Sequence, residues 1–377
     1  MGGFRKPTSR YRDQIAMKNI SLHIILVISA ILISVACTKE EITKGNESEI
    51  VIDASIMKSN EQAKAIITTD RFGDQNTLGL FVYHAEYELP LDTLSAYGDK
   101  YKNIRAKYSS NEGWKYSFES SLSSTFNRIY LLNPSVEVFT QGLAIVAYAP
   151  YKEGTTAINN IQFKTGGNSK DVTDLLWASQ NNTSENAKIV PDGNVKDVKL
   201  SFKHAFAMIK CGFKCKWDAQ TNGEYTGSTM RVTAITLKKK NGGSTRLYTS
   251  GSFNALDGSL NNLIEPDTLK ISTYYSNENY TFKYNATEYV YVPMLIIPTE
   301  YINDGDYILE FKFNNQKVSE YPIKREDIKT RRNGVDVYAF EAGYTYTFNF
   351  TFNNYIQLDK ASISDTWVPV VQNPIVL

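Results

Sequence analysis

The sequence predicts an all-β protein built of two β-sandwich domains in tandem. Aromatic and β-branched residues, including 25 Tyr and 18 Phe, recur between short polar clusters, a composition that favours strands over helices. Asn-Gly and Asp-Gly dipeptides mark tight turns along the second half of the chain. Short strands with frequent turns are typical of sandwiches, and 377 residues are enough for two such domains.

The clearest strand signal lies near the C-terminus. Residues 344–352 alternate between aromatic and polar side chains, so that Tyr346, Phe348 and Phe350 share one face. A ligand-stacking platform is one interpretation of this row. An inward aromatic face in a sandwich is the commoner use of such a pattern, and we expect a core row.

Turn signals also predict two hairpins, one joining residues 232–240 to 245–248 and one joining residues 289–298 to 307–313. The pattern of residues 171–179 favours a short helix.

The domain boundary is expected near residue 196, after an Asn-rich, loop-like stretch over residues 179–194. The N-terminal domain then spans residues 50–196 and the C-terminal domain residues 197–377, with a tail over 368–377.

A signal peptide is expected over residues 1–36. The apolar run of residues 22–35 is too short to cross a bilayer as a helix, and a short basic start, Met17-Lys18, precedes it. We therefore expect Met17 to be the true initiator.

The signal peptide closes on small residues and a cysteine, Ser34-Val35-Ala36-Cys37, which resembles a bacterial lipobox. This pattern predicts that Cys37 is acylated and anchors the protein to the outer membrane at the cell surface. The alternative is a plain secretory peptide with an incidental cysteine. The polar residues after it make residues 37–49 a lipidated, flexible tether.

The mature chain lacks the residues of a familiar catalytic site. Its histidines are His84 and His204, and no zinc-protease, nucleophile-elbow, dinucleotide or phosphate-loop motif is present. Cys211 and Cys215 would lie about 13 Å apart on one face of a strand, too far for a disulfide, so buried thiols are expected. We predict no enzyme activity, no cofactor and no metal site.

The balance of 41 basic against 40 acidic residues gives no sign of a polyanion-binding surface, so no nucleic-acid partner is expected.

Several segments, in this order along the chain, resemble the fimbrillin family, the Mfa-like fimbrial subunits of certain Gram-negative anaerobes. They are residues 78–83 (LGLFVY), 147–151 (AYAPY), 174–178 (DLLWA), 200–205 (LSFKHA), 292–298 (VPMLIIP), 342–346 (AGYTY) and 363–367 (ISDTW). The resemblance implies lipoprotein precursors with two transthyretin-like sandwich domains. It also implies head-to-tail assembly with other fimbrial subunits by strand complementation, in which an N-terminal strand is removed by a protease and replaced by a neighbour's C-terminal strand.

The strand that would leave is residues 50–57, in which Ile50, Ile52, Ala54 and Ile56 alternate as a sandwich strand should.

The processing site differs from the family pattern. Lys64, followed by Ala65, lies where the family carries an arginine. The nearest arginine is Arg71, followed by Phe72, beyond another strand-like run.

The donor strand implied by the resemblance is the C-terminal tail, with apolar residues Val368, Val370, Val371, Ile375 and Leu377. Its two prolines, Pro369 and Pro374, forfeit ladder hydrogen bonds.

The sequence therefore predicts a structural subunit of cell-surface fimbriae that contributes to adhesion. The alternative is a surface lipoprotein that binds glycan through exposed aromatics such as Trp114 and Tyr116. A host or bacterial surface receptor or glycan is the expected adhesion partner. The place in the fibre, as stalk, tip, anchor or accessory subunit, stays open.

Overall fold

A computed structural model of the chain describes residues 47–56, 72, 74, 76–84, 101–125, 129–132, 143–165, 167–168, 174–179, 194, 196–216, 229–241, 245–268, 270–274, 280–283, 286–314, 318–352 and 356–365. Strands dominate these residues, with short 3-10 helices at Glu119–Ser121 and Arg325–Ile328. No α-helix occurs within the ranges just given. The predicted all-β, sandwich-type fold is confirmed.

The strands in chain order are β1 (Glu47–Ile56), β2 (Thr77–His84), β3 (Ile104–Ser109), β4 (Gly113–Ser117), β5 (Ile129–Leu132), β6 (Leu143–Ala149), β7 (Ile161–Lys164), β8 (Gly167–Asn168), β9 (Leu176–Ser179), β10 (Lys196–His204), β11 (Ala207–Cys215), β12 (Thr229–Lys239), β13 (Ser250–Phe253), β14 (Leu260–Ile264), β15 (Lys270–Tyr274), β16 (Thr281–Lys283), β17 (Val290–Ile296), β18 (Tyr307–Phe313), β19 (Val318–Pro322), β20 (Lys329–Arg332), β21 (Val335–Tyr338), β22 (Thr345–Phe352) and β23 (Ile356–Ser364).

The first sheet contains eight strands in the order β4-β3-β2-β6-β9-β10-β1-β5. Its inward side chains form one core cluster that includes Ile50, Leu80, Ile145 and Phe202. Every second residue of β1, β2 and β10 belongs to this core, because side chains alternate between the two faces of a strand.

Strand β6 is apolar at every position because both of its faces are covered. Leu143, Ile145 and Ala147 lie in the core of the first sheet. Val146 and Tyr148 lie in a second cluster, which also contains residues of the C-terminal half. A strand covered on both sides reads as a continuous apolar run rather than an alternating one.

The C-terminal half contains a four-stranded sheet, β17-β11-β22-β23, and a second sheet with strands β19-β18-β12-β15-β8. The aromatic row of β22 is fully buried against their shared core, as predicted: Tyr346, Phe348 and Phe350 all have no exposed surface. Cys211 and Cys215 are buried in the same core and form no disulfide.

Strands cross the boundary that we expected near residue 196. Strand β10, which begins at that point, lies in the first sheet, and the chain leaves that sheet at Ala205 and Phe206. Two strands that precede the expected boundary pair with strands that follow it: β7 pairs with β13, and β8 pairs with β15. The division into two tandem domains stays a prediction, and the change of sheet lies about ten residues after the expected position.

Both predicted hairpins and the predicted helix are wrong. Strand β12 pairs with β15, β16 and β18, and residues 245–249 form no strand. Strands β17 and β18 lie in different sheets. The described end of residues 171–179 is strand β9, in which Leu176 and Ala178 face the core.

Candidate strand-exchange site

Strand β1 lies inside the first sheet, between two other strands. It pairs in parallel with β10 from Ile50 to Ile56, and it pairs antiparallel with β5 from Glu47 to Ile50. The predicted leaving strand, residues 50–57, is therefore part of the sheet over Ile50 to Ile56, and Met57 lies outside the described residues.

The alternating residues of β1 face the core. Ile50, Ile52 and Ile56 are 1%, 5% and 3% exposed, and Ala54 is half-buried. On the other face, Val51 is 41% exposed. The strand thus presents an apolar face with three isoleucines to the core and its other face, which includes Val51 and Asp53, to solvent.

The partner of β1 was missed by sequence reasoning. Ile52, Ala54 and Ile56 lie opposite Val198, Leu200 and Phe202 of β10, and all three β10 residues are buried. The signal was present, because residues 198, 200 and 202 alternate with polar residues. We assigned that segment to the second domain, although it completes the first sheet.

Loss of β1 would uncover a groove in the first sheet. Burial of an isoleucine side chain contributes about 1.5–3 kcal/mol, so the three buried isoleucines supply several kcal/mol together. Domains are stable by only about 5–15 kcal/mol. Loss of β1 would therefore remove much of the stability of a typical domain.

Phe72 is the one predicted processing residue within the described part of the chain. It is buried, and its ring packs edge-on against Phe202 at 5.1 Å and Trp114 at 5.5 Å between centroids. Lys64, Ala65 and Arg71 lie outside the described residues.

Cys37 and the donor residues of the tail also lie outside the described residues; they are Val368, Val370, Val371, Ile375 and Leu377. The last described strand, β23, ends at Ser364 as an edge strand of the four-stranded sheet. In the described ranges no helix is both long and apolar enough for a membrane span.

The aromatics proposed for glycan binding are largely packed. Tyr116 is 3% exposed, and burial raises the pKa of its phenol. Trp114 is half-buried and packs edge-on against Phe72 and Tyr108. Neither residue is fully exposed, whereas the glycan-binding alternative expected exposed rings.

His204 is paired with a buried carboxyl group. Its Nδ1 lies 2.6 Å from Oδ2 of Asp174, and both side chains are buried. Burial raises the pKa of the Asp174 carboxyl, although His204 and the main chain at Leu175 oppose the rise. No described group of three or more His, Cys, Asp or Glu residues could hold a metal ion.

Comparison with known proteins identifies the family. The model of the fimbrillin-like family matches residues 65–367, most of the chain. The chain belongs to the fimbrillin-like family. The matched residues include strands β2 to β23. Strand β1 and Lys64 precede the matched residues.

Solved structures similar to this chain come from Bacteroides and Porphyromonas species. A candidate cell adhesion protein from Bacteroides ovatus shares 18% identity over 86% of this chain and 98% of its own, with a TM-score of 0.49. A fimbrial protein from Bacteroides vulgatus shares 16% identity over 77% of this chain and 93% of its own, with a TM-score of 0.44. The tip fimbrial protein Mfa3 from Porphyromonas gingivalis shares 10% identity over 85% and 99%, with a TM-score of 0.39. No curated protein matches.

As a fimbrillin-like protein, the chain is a fimbrial or adhesion subunit of the cell surface. Its family is one of structural and adhesive proteins rather than of enzymes.

Proposed function

We propose that this fimbrillin-like chain is joined to its neighbours by strand exchange, in which β1 leaves the first sheet and the tail of another subunit takes its place. The position of β1 carries this proposal. It is the first described strand, it lies between β10 and β5, and it fills the core with three isoleucines.

The tail has the properties that a replacement strand requires. Residues 368–377 number ten, as do the residues of β1, and none of their side chains is charged. At about 3.3 Å per residue the two segments have the same extended length. Main-chain hydrogen bonds would supply affinity, and the apolar side chains would fill the positions of the isoleucines.

The contact is head-to-tail and therefore propagates. The accepting groove and the donating tail lie on different parts of the same chain, so each added subunit presents a new groove or a new tail. Export as a lipoprotein through Cys37 would hold β1 near the membrane until a protease separates it from the rest of the chain.

Deletion of residues 368–377 tests the donor role. We expect a folded monomer that is not incorporated into fibres, because the described sheets are built from residues 47–364. The measurement is the fraction of subunits in sheared fibres, with a tail of scrambled polar sequence as the matched control for length. Normal incorporation of the deleted protein would contradict the donor role.

A further inference from the structure

An exposed tyrosine lies beside the hairpin of β20 and β21. Tyr301, in the connection between β17 and β18, is 53% exposed. Its ring meets that of Tyr338 edge-on, with 5.7 Å between the centroids. The next residue, Ile302, is fully buried, and its main-chain N–H donates to the carbonyl of Tyr338 at 2.9 Å. The chain at Tyr301 is therefore fixed in place, while the ring stays accessible to solvent.

The hairpin itself is anchored to the body of the protein. Asn333 and Gly334 form its two-residue turn, with the positive φ angles of 50° and 81° that such a turn requires. At its base, Oγ1 of Thr330 donates to Oε2 of Glu341 at 2.6 Å, and both side chains are buried. Nη2 of Arg332 lies 2.8 Å from the other oxygen of the same carboxylate. Tyr338 is thus presented on a well-supported hairpin.

Arg325 adds a positive charge to the two rings. It begins the short 3-10 helix that leads into β20, and its Cζ lies over the ring of Tyr338, 4.9 Å from the centroid. Its Nη1 donates to the hydroxyl of Tyr301 at 3.3 Å. This hydrogen bond uses only one of the guanidinium N–H groups. Because the side chain is 45% exposed, other N–H groups can reach an acceptor from outside the protein.

Two neighbouring basic side chains are paired with carboxylates, whereas Arg325 is not paired at hydrogen-bond distance. Nζ of Lys329 lies 2.7 Å from Oδ2 of Asp336, and Arg332 is paired with Glu341. For Arg325, the carboxylate of Glu326 lies 3.8 Å from Nε, beyond the length of a hydrogen bond. Its charge is therefore available to an anionic ligand.

We propose that Tyr301 and Arg325 bind a sugar residue that carries a carboxylate, within a glycan on the surface to which the protein adheres. The planar guanidinium fork matches the two oxygens of a carboxylate. The C–H groups of a pyranose ring pack on the electron-rich face of a tyrosine. This site lies in the C-terminal half of the chain, so the inference does not depend on strand exchange at β1.

The site suits one acidic sugar better than an acidic peptide. Two rings 5.7 Å apart and one guanidinium offer a surface about as large as a single pyranose, whereas a specific protein interface buries about 800 Å² on each partner. Asp304 and Glu326 are exposed beside Arg325, and Asp304 accepts a hydrogen bond from its main-chain N–H. These carboxylates disfavour a segment that carries several acidic groups.

Binding of acidic oligosaccharides to the full chain tests the site. The probes are trigalacturonate and sialyllactose, and their matched controls are methyl-esterified trigalacturonate and lactose, which lack the negative charge. Isothermal titration calorimetry at low ionic strength measures the dissociation constants. We expect saturable binding of at least one acidic probe and about tenfold weaker binding of its neutral control, as loss of a charge-assisted hydrogen bond would cause. Added salt should weaken binding of the acidic probe.

Variants of the two residues provide the second part of the test. Arg325→Gln and Tyr301→Ala should each weaken binding about tenfold, and Arg325→Lys should restore only part of the loss because an ammonium lacks the planar fork. The controls are Lys312→Gln, at an exposed position of β18, and Tyr274→Ala, a tyrosine of β15 that is 52% exposed. Both controls should bind like the parent chain, and circular dichroism establishes that all variants are folded.

Several results would overturn this inference. They are a failure of both acidic probes to bind, equal binding of an acidic probe and its neutral control, or equal losses in Arg325→Gln and Lys312→Gln. Equally tight binding of a hexaglutamate peptide would make this a site for acidic peptides instead. The Arg325→Gln chain should still enter fibres normally, so failure of the sugar site would leave strand exchange standing.

Discussion

Ile52 connects the candidate exchange strand with the core of the first sheet. Its side chain is 5% exposed, whereas its neighbour Val51 is 41% exposed on the opposite face. We predict that Ile52→Ala lowers the free energy of unfolding by about 2–5 kcal/mol, as truncation of a buried isoleucine does. Val51→Ala, the matched control, should change it by less than about 0.5 kcal/mol.

Urea unfolding of the full chain measures both variants. Equal losses for the two substitutions would mean that the inward face of β1 does not contribute to the core.

A second single-residue prediction concerns the buried pair of His204 and Asp174. His204→Ala would leave the Asp174 carboxyl buried without its imidazole partner, and removal of one partner of a buried pair costs about 3–5 kcal/mol. Lys199→Ala, at an exposed position of the same strand, is the control.

The loss of folding stability in His204→Ala should also depend on pH. Burial holds the pKa of Asp174 above its ordinary value of 3.8, so the fold favours the protonated carboxyl. Stability from this group is therefore present at low pH and is lost as the pH rises through the folded-state pKa. Unfolding of the variant between pH 3 and pH 7 checks this, and stability that increased over that range would contradict the assignment.

In the proposed exchange, assembly depends on β1 and on the segment that follows it. Phe72 is packed between Trp114 and Phe202, so cleavage after Arg71 would require the protease to draw a buried ring out of the core. We therefore predict that cleavage takes place between Lys64 and Ala65.

N-terminal sequencing of the surface protein tests the position of cleavage. We expect Ala65 as the mature N-terminus, loss of processing in Lys64→Ala, and normal processing in the matched variant Arg71→Ala. An N-terminus at Phe72, or at acylated Cys37, would contradict this prediction.

Alternation predicted the individual strands well and their partners poorly. The inward rows of β1 and β22 follow from their sequences alone, because a period of two places alternate residues on one face. Strand β1 pairs with β10, nearly 150 residues later, and nothing local in either segment specifies that contact.

The two hairpin predictions were wrong for the same reason: local sequence does not specify long-range strand pairing. A turn dipeptide shows where the chain reverses, but β17 and β18 reverse into different sheets, and long-range packing decides which sheet each strand joins. The candidate site was therefore half predictable: the pattern located β1 and its inward isoleucines, whereas its pairing with β10 required the three-dimensional arrangement.

At the scale of the whole molecule, the two halves share structure. Phe81 and Tyr148 of the N-terminal half pack in one cluster with Phe206 and Phe253 of the C-terminal half, and two strand pairs cross between the halves. The candidate exchange strand β1 lies in the first sheet, next to β10.

A disulfide lock between β1 and β10 tests strand exchange most directly. Asp53 and Lys199 lie opposite each other in register, and both side chains are exposed. Neighbouring strands lie about 4.8 Å apart, within the Cα spacing that a disulfide accepts. Asp53→Cys/Lys199→Cys therefore ties β1 to the sheet without a change in the core. The corresponding pair Lys107→Cys/Lys115→Cys ties β3 to β4 and is the control.

The measurement is the fraction of each protein incorporated into fibres before and after reduction. We predict that the oxidised β1–β10 lock forms no fibres and that a reductant restores normal assembly, while the β3–β4 lock assembles under both conditions. Normal fibre formation by the oxidised β1–β10 lock would show that β1 stays in place, and strand exchange at this site would be wrong.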